Sequence, residues 1–489
     1  MPDADGSSPL RRAGAALARH GRRSCAGLAA LALAACAALL PDAAFPPERT
    51  PRAAAVSVRD ERGALDPARA EAALQRLDGE ADGVLALHLR HVEHELAEPL
   101  TLGNEARLLV DGPETQETML QAIRGARRGI DLESYILEAE GVGERLAALL
   151  VEKRRAGLRV RVLYDSVGSL ATPAEYFERL RQAGIDVCEF NPVNPLRLQQ
   201  NERLSINNRD HRKLLIVDGR VAFTGGINIS RVYSSSSFGP RRGAGRAAPR
   251  AAAGDAPGPQ PAWRDTHVQV RGPVAVQFLD LFEGNWRGQN CPETAAPPPR
   301  PPPERAGAMA GRLVAADPAA GRNELYVALL SAIEHARQRV WLTYGYFVPD
   351  ERVLQTLRDA ARRGVDVRLM LPGFSDFWAP FHAGRSHYGE LLGAGVRLFE
   401  RRDALLHAKT AVIDGVWSAV GSTNLDWRSF VHNYEADLLI LDRRFAEDME
   451  RLFRLDEGAA HPVLIEEWRR RGLKERLLEW IARGWAYLL

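Results

Sequence analysis

From about Leu100 onward the apolar residues follow two spacings that alternate along the chain. Thr115–Arg128, Gly143–Arg155 and a run ending at Arg181 carry them three and four apart, the period of a helix with one buried face. Ile130–Leu137, Leu158–Tyr164 and Val187–Phe190 are short, nearly continuous apolar runs, as strands covered on both faces require. The order then repeats. Helical patterns Glu324–Ala336, Glu351–Arg363 and one ending at Leu392 alternate with strand patterns Val340–Val348, Val365–Leu371 and Val396–Phe399. Arg362-Arg363-Gly364-Val365-Asp366-Val367-Arg368 echoes Arg154-Arg155-Ala156-Gly157-Leu158-Arg159-Val160. Alternating helix and strand predicts an α/β layer fold. The repetition predicts two pseudo-twofold-related halves, each a mixed β-sheet flanked by helices, packed into one unit.

Other stretches lack this alternation. Residues 1–23 are basic, and Cys25–Leu40 follows without a charge but is shorter than the ~20 residues that span a bilayer. That is the profile of a signal peptide or membrane-anchoring leader. Within it, Leu33-Ala34-Ala35-Cys36 has the form of a bacterial lipobox, which makes Cys36 a candidate lipidation site. Ordinary cleavage, a short uncleaved anchor or a different start codon are the alternatives. Residues 235–262 are Ser, Gly, Ala, Arg and Pro without periodicity, which reads as a flexible insert, and Pro297–Pro299 with Pro301–Pro303 mark a semi-rigid connector. Trp468–Leu489 carries a broad apolar stripe opposite arginines, either an interfacial membrane helix or a helix packed on the protein's own core. The resulting division is 1–40 leader, 41–98 linker and N-terminal helical region, 99–293 first half with its insert, 294–318 connector, 319–456 second half and 457–489 C-terminal amphipathic helix.

The two halves share one polar motif. His211-Arg212-Lys213, four residues and Asp218 recur as His407-Ala408-Lys409, four residues and Asp414. Gly225 and Asn228 recur as Gly421 and Asn424, every member 196 positions after its counterpart. On a strand, residues two apart point to one face, so each His–Lys pair projects together. An imidazole, an ammonium and an amide gathered twice suit a phosphate: Lys and Asn donate to its oxygens, and a His can attack phosphorus. Two facing sets provide one nucleophile and one general acid.

The arrangement resembles the phospholipase D superfamily with its paired HKD motif, and more finely the bacterial cardiolipin synthases. The second motif runs on as Gly421-Ser422-Thr423-Asn424-Leu425-Asp426-Trp427-Arg428-Ser429-Phe430, then Asn433-Tyr434-Glu435. The first half adds Gly103-Asn104, Asp111-Gly112-Pro113, Glu133-Ser134-Tyr135-Ile136 and Leu163-Tyr164-Asp165. The resemblance implies two phospholipase D-like halves and a catalytic set His211, Lys213, Asp218, His407, Lys409 and Asp414. Within that set the two aspartates are read as turning the chain before Gly219 and Gly415. It implies His211 as nucleophile through a phosphohistidine, with the reverse assignment to His407 open. Asn228, Asn424 and Ser422 would bind the phosphate. A carboxylate would orient each imidazole: Glu435 for His407, and Asp265, beyond the insert, for His211. No metal or cofactor is expected, because lysine and asparagine meet the phosphate charge. His88, His91 and His94 recur every third residue, and a solvated helix face is the simpler reading than a metal site.

The resemblance implies a phosphatidyltransferase that makes cardiolipin from two phospholipids, phosphatidylglycerol among them, at a membrane; the leader adds the bacterial cell envelope and, with lipidation at Cys36, a lipoprotein. Hydrolysis by the same site, as a phospholipase D or a nuclease, is the alternative. A formal net charge of +2 over 489 residues gives no global attraction for nucleic acid, so no nucleic-acid partner is expected. Tyr346, Phe347, Phe374, Phe377 and Trp378 either surround the site or belong to the core. Cys188 and Cys291 are the two cysteines outside the leader, and spacing alone does not say whether they meet.

Overall fold

The computed structural model describes residues 55–78, 84–193, 207–238, 261–294 and 299–484, all in one compact unit that begins at Pro51. The leader with Cys36, residues 239–260 of the insert, and Trp485, Leu488 and Leu489 lie outside the described residues.

Each half is a mixed sheet built in the same order. In the first, Asp186–Phe190, Arg159–Asp165 and Gly129–Ser134 run parallel. Lys213–Val217, Val221–Gly225, Thr266–Arg271 and Leu100–Val110 continue it antiparallel. In the second, Arg397–Arg401, Asp366–Pro372 and Arg339–Tyr344 are parallel, followed by Lys409–Ile413, Trp417–Gly421, Asn433–Leu441 and Met309–Asp317. The sheets meet edge to edge where Thr101 faces Gly311 and Asn104 faces Met309. Buried Asn104 ties this seam: its amide donates to Thr101 O (2.8 Å) and Met309 O (3.3 Å), and its Oδ1 accepts from Val274 N (2.9 Å). The joined sheet has no free edge at its middle, where an unpaired row of backbone groups would be buried at a cost.

Helices Ala275–Gly288 and Arg443–Ala459 cover one face of both halves. Phe278, Phe282 and Trp286 of the first share a buried cluster with Phe445, Met449 and Phe453 of the second. Each large side chain so buried contributes about 1.5–3 kcal/mol. A Cys188–Cys291 disulfide, Cα atoms 5.4 Å apart, fastens the outer strand of the first half to the segment after Ala275–Gly288. Closing a loop this long stabilises by roughly 2–4 kcal/mol.

Four expectations change. The connector ends before Met309, because residues 309–317 form the seam strand; the second half begins there rather than at 319. The predicted strand Val340–Val348 is divided: one strand ends at Tyr344, and Phe347–Val348 forms a separate short strand paired with Leu425–Asp426. The C-terminal stripe is two helices, Ile465–Arg469 and Leu473–Arg483, with a break at Gly472, and Trp468 is buried against Tyr388 (ring centroids 4.9 Å apart). His88, on helix Val84–Val92, is not on a solvated face: it is buried, with Nδ1 3.0 Å from Ser331 Oγ. His91 Nδ1 lies 3.0 Å from His335 Nε2. Among the described residues no three His, Cys, Asp or Glu side chains are arranged to hold a metal.

Candidate active site

Lys213 and Lys409 are the first residues of buried strands, and each motif histidine lies two residues earlier. Two short parallel pairings place those histidines. Arg209–Asp210 pairs with Asn433–Tyr434 of the other half, and Trp263–Arg264 pairs with Leu405–Leu406. The ladders continue by one bond each: His211 N donates to Tyr434 O (2.9 Å) and His407 N to Arg264 O (2.8 Å). The next residue in each partner strand is a carboxylate. Glu435 therefore faces His211, its oxygens 2.9 and 3.0 Å from Nδ1, and Asp265 Oδ2 lies 2.8 Å from His407 Nδ1. This corrects the expected pairing of Glu435 with His407 and Asp265 with His211. The carboxylates are exchanged between halves because the strands carrying them run into the opposite half.

With both carboxylates ionised, each Nδ1 donates its proton and each Nε2 lone pair is left free. Ser422 Oγ (2.6 Å), Ser429 Oγ (2.9 Å) and Asn433 Nδ2 (3.3 Å) all donate to Glu435. The Ser422 hydroxyl is thus spent on a carboxylate rather than aimed at a phosphate. Asp265 accepts from Thr266 N (2.8 Å), and buried Tyr233 brings its hydroxyl oxygen 3.1 Å from His407 Nδ1. Asn228 Oδ1 accepts from Ile136 N (3.1 Å), and Asn424 Oδ1 is buried without a hydrogen-bond partner among the described residues. Lys213 Nζ donates to His211 O (2.6 Å) and Lys409 Nζ to His407 O, which leaves each ammonium further protons for a ligand.

Asp218 and Asp414 stand at the opposite end of the motif strands. Asp218 accepts from the backbone amides of Arg127 (3.0 Å), Arg128 (2.7 Å) and Gly129 (3.1 Å). Asp414 does the same for Arg337, Gln338 and Arg339 at 2.8 to 2.9 Å. They splice the motif strand to its neighbour and touch no catalytic side chain, which corrects their place in the catalytic set.

Burial dominates the electrostatics. It lowers the His211 pKa to about 4, with Glu435 opposing and Lys213 and Lys409 reinforcing the shift. It lowers that of Lys213 to about 7, and those of His407 and Lys409 also fall. Burial alone would raise the carboxyls of Glu435 and Asp265; their histidines, the neighbouring lysines and the hydrogen bonds they accept together outweigh it, and both lie below the ordinary range. Lys409 acts on His211 and Lys213 on His407, so the two sets occupy one field and titrate as a coupled group.

Several contributors escaped the sequence reading. Ser429, Asn433 and Asp111 lie within the stretches that carry the family resemblance, so their positions were marked although their partners were not. Asp111 holds both ends of the insert: its Oδ2 accepts from Ser237 N (2.6 Å) and Ser237 Oγ (2.7 Å), and its Oδ1 from Asp265 N (3.1 Å). Tyr233 carries no signal, since its partner lies across the halves.

A sequence model of the family described as "Cardiolipin synthase, PLD-like domain" matches residues 119–237 and 329–456. Cardiolipin synthase A of Pseudomonas fluorescens is 35% identical over 387 residues, which cover 79% of this chain and 75% of that protein. A cardiolipin synthase of a Geobacillus species is 32% identical over 390 residues, 79% of this chain and 72% of its own. Among solved structures, phosphatidylserine synthase of Haemophilus influenzae matches the fold with a TM-score of 0.56 at 13% identity, over 78% of this chain and 93% of that one.

Proposed function

This chain belongs to the cardiolipin synthase family with phospholipase D-like domains, and on that footing we propose that it moves a phosphatidyl group from one phospholipid to the glycerol hydroxyl of phosphatidylglycerol. The observation that carries the mechanism is the exchanged pair of carboxylates: each half contributes the group that fixes the other half's imidazole, so neither half is complete alone.

His211 is the proposed nucleophile. Its Nε2 attacks phosphorus, the bond to the leaving alcohol breaks, and His407 gives that oxygen its proton. His407 takes the acid's role as the partner of that nucleophile, and Trp263, Tyr346 and Tyr233 stand around it with ring centroids at 5.2, 6.0 and 6.2 Å. His211 has Tyr135 at 5.2 Å. The diester anion itself raises the depressed pKa values, since it brings negative charge among two imidazoles and two ammoniums. In the second step His407 takes a proton from the acceptor hydroxyl, whose oxygen displaces Nε2 from phosphorus. Lys213, Lys409, Asn228 and Asn424 hold the non-bridging oxygens and stabilise charge in the transition state. With phosphatidylglycerol as donor and acceptor, the products are cardiolipin and glycerol.

Membrane association and an envelope location belong to the same proposal. The leader supports it, with Cys36 as its lipidation site, and the Cys188–Cys291 bond suits an oxidising compartment. Among the described residues no helix is long and apolar enough to cross a membrane.

The test is product analysis on phosphatidylglycerol vesicles. Glycerol and cardiolipin should appear in equal amounts, because well-oriented reactants reach effective molarities of roughly 10⁵–10⁸ M and so outcompete water. Phosphatidic acid as the sole product at every lipid density would make the protein a phospholipase D.

A further inference from the structure

The strands Arg159–Asp165 and Asp366–Pro372 occupy equivalent places in the two halves, and the loops that follow them are equivalent too. Both loops expose apolar side chains. Leu170 is 73% exposed on the first; Phe377 and Trp378 are 56% and 47% exposed on the second. Both loops are also strapped to an aromatic residue beside a motif histidine. Ser169 Oγ donates to Tyr135 O (3.1 Å), and Gly168 is so close to that carbonyl that a Cβ would lie 2.2 Å away; the Tyr135 ring stands edge-on to His211. In the second half Tyr346 Oη donates to Asp376 Oδ1 (2.7 Å), and the Tyr346 ring stands edge-on to His407.

The second rim is extended by the C-terminal helix. Leu473–Arg483 packs on Trp378–Arg385 through Ala482 and Ala383, which share a small core with Val348. It turns Leu473, Leu477, Trp480 and Ile481 outward, Leu473 and Trp480 at 83% and 73% exposure. Their spacing puts all four on one face. Around it Arg469, Arg470, Lys474, Arg476 and Arg483 are exposed. The exposed carboxylates there are Glu466, Glu467 and Glu475, so the surround carries a positive excess. A folded protein keeps such a run of large apolar side chains in water only at a cost.

We propose that these two loops and the C-terminal helix form one docking surface for an anionic lipid bilayer, set around the mouth of the catalytic centre. The proposal rests on the phosphatidyltransferase reading and names the surface through which lipid reaches that site. Apolar contact anchors the rim, and the cations answer the lipid phosphates. The surface bears on the chemistry through Tyr135 and Tyr346, each lying between a rim loop and a motif histidine.

The test uses the full chain and three variants: Leu170→Glu, Phe377→Glu with Trp378→Glu, and Leu477→Glu with Trp480→Glu. Consumption of phosphatidylglycerol is followed in mixed phosphatidylcholine–phosphatidylglycerol vesicles and with a short-chain phosphatidylglycerol below its micelle concentration. Each variant should lose about tenfold or more on vesicles and keep its turnover of the monomeric lipid. Vesicles carrying a photoactivatable acyl chain should label the parent at the peptides containing Leu170, Phe377–Trp378 and Leu477–Ile481. Unchanged vesicle turnover would overturn the proposal, as would equal loss on both substrates or labelling confined to other peptides. So would a dimer of the parent that the variants dissolve without loss on vesicles, which would give the face to a second copy. Because consumption is counted whatever the product, hydrolysis in place of transfer would sink the proposed function and leave docking standing; labelling decides the matter even without turnover.

Discussion

His211 and His407 occupy the same place in two copies of one fold, but what lies behind them differs. Behind His211 stand Asp210 and Arg212, with Glu133 and Asn285: Arg212 Nε donates to Glu435 O (3.2 Å) and Asn285 Nδ2 to Glu133 (3.0 Å). The equivalent flanks of His407 are Leu406 and Ala408, both in the apolar core. In front, Glu435 has Ser422 as a donor, whereas Asp265 presses on Gly226, where a Cβ would lie 2.1 Å from its Oδ1. Among the described residues, Trp263, Tyr346 and Tyr233 stand around His407, and Tyr135 alone stands beside His211. The two halves repeat one strand order, and the proposed division of labour rests on the side-chain differences between them. The proposed mechanism asks for one neutral and one charged imidazole, and unequal surroundings are a way to provide them.

The comparison breaks first at the imidazoles. His211→Ala and His407→Ala should each lower turnover about 10⁴-fold or more, measured as cardiolipin formation. Substantial turnover in either variant would end the two-histidine mechanism.

The carboxylates sharpen it, because their exchange gives each a role opposite to its sequence neighbourhood. Glu435→Gln and Asp265→Asn should each cost about 10²–10⁴-fold on phospholipid, the range for a displaced acid or base. A diester with a p-nitrophenol leaving group needs no proton donor, so it should rescue Asp265→Asn and not Glu435→Gln. Rescue of Glu435→Gln instead would place the acid on the other histidine.

The lysines give a smaller effect, read in pH. The Lys213 pKa is lowered to about 7, so its positive charge is lost as pH rises through that value. The His211 pKa is lowered to about 4, so the nucleophile is neutral above it. kcat/KM should therefore rise from acid pH and fall on the alkaline side in two stages, as the acid His407, its own pKa lowered, and then Lys213 near 7 lose their protons. Lys213→Arg keeps its charge at all working pH and should move the alkaline limb upward at reduced activity. An unmoved limb would assign it to the coupled histidines.

The smallest effect on chemistry belongs to the aspartates of the motif. Asp218→Asn and Asp414→Asn weaken three backbone hydrogen bonds each, and should cost roughly 1–3 kcal/mol in denaturant unfolding. Activity per folded molecule should stay within about threefold, since neither side chain reaches the centre.

Much of this was legible in the chain. The 196-residue offset located both motif strands, both histidines and both lysines, because a duplicated strand must repeat its spacing to bury the same face. The crossing of the carboxylates was not legible: Glu435 stands 28 residues past His407 whichever imidazole it serves, and only the pairing of Asn433–Tyr434 with Arg209–Asp210 decides. Ser422 was misread for a related reason, since a hydroxyl serves a phosphate and a carboxylate equally well. The C-terminal stripe hid its break because periodicity carries across Gly472 while the backbone does not.

The unequal division between the two histidines is tested most directly by mapping the covalent adduct. His407→Ala, given a radiolabelled phosphatidyl donor with an activated leaving group and quenched under alkaline conditions that preserve phosphohistidine, should carry label on the peptide containing His211. His211→Ala treated alike should carry none. Label on His407 in the His211→Ala protein, with none on His211 in its counterpart, would reverse the roles and contradict the account.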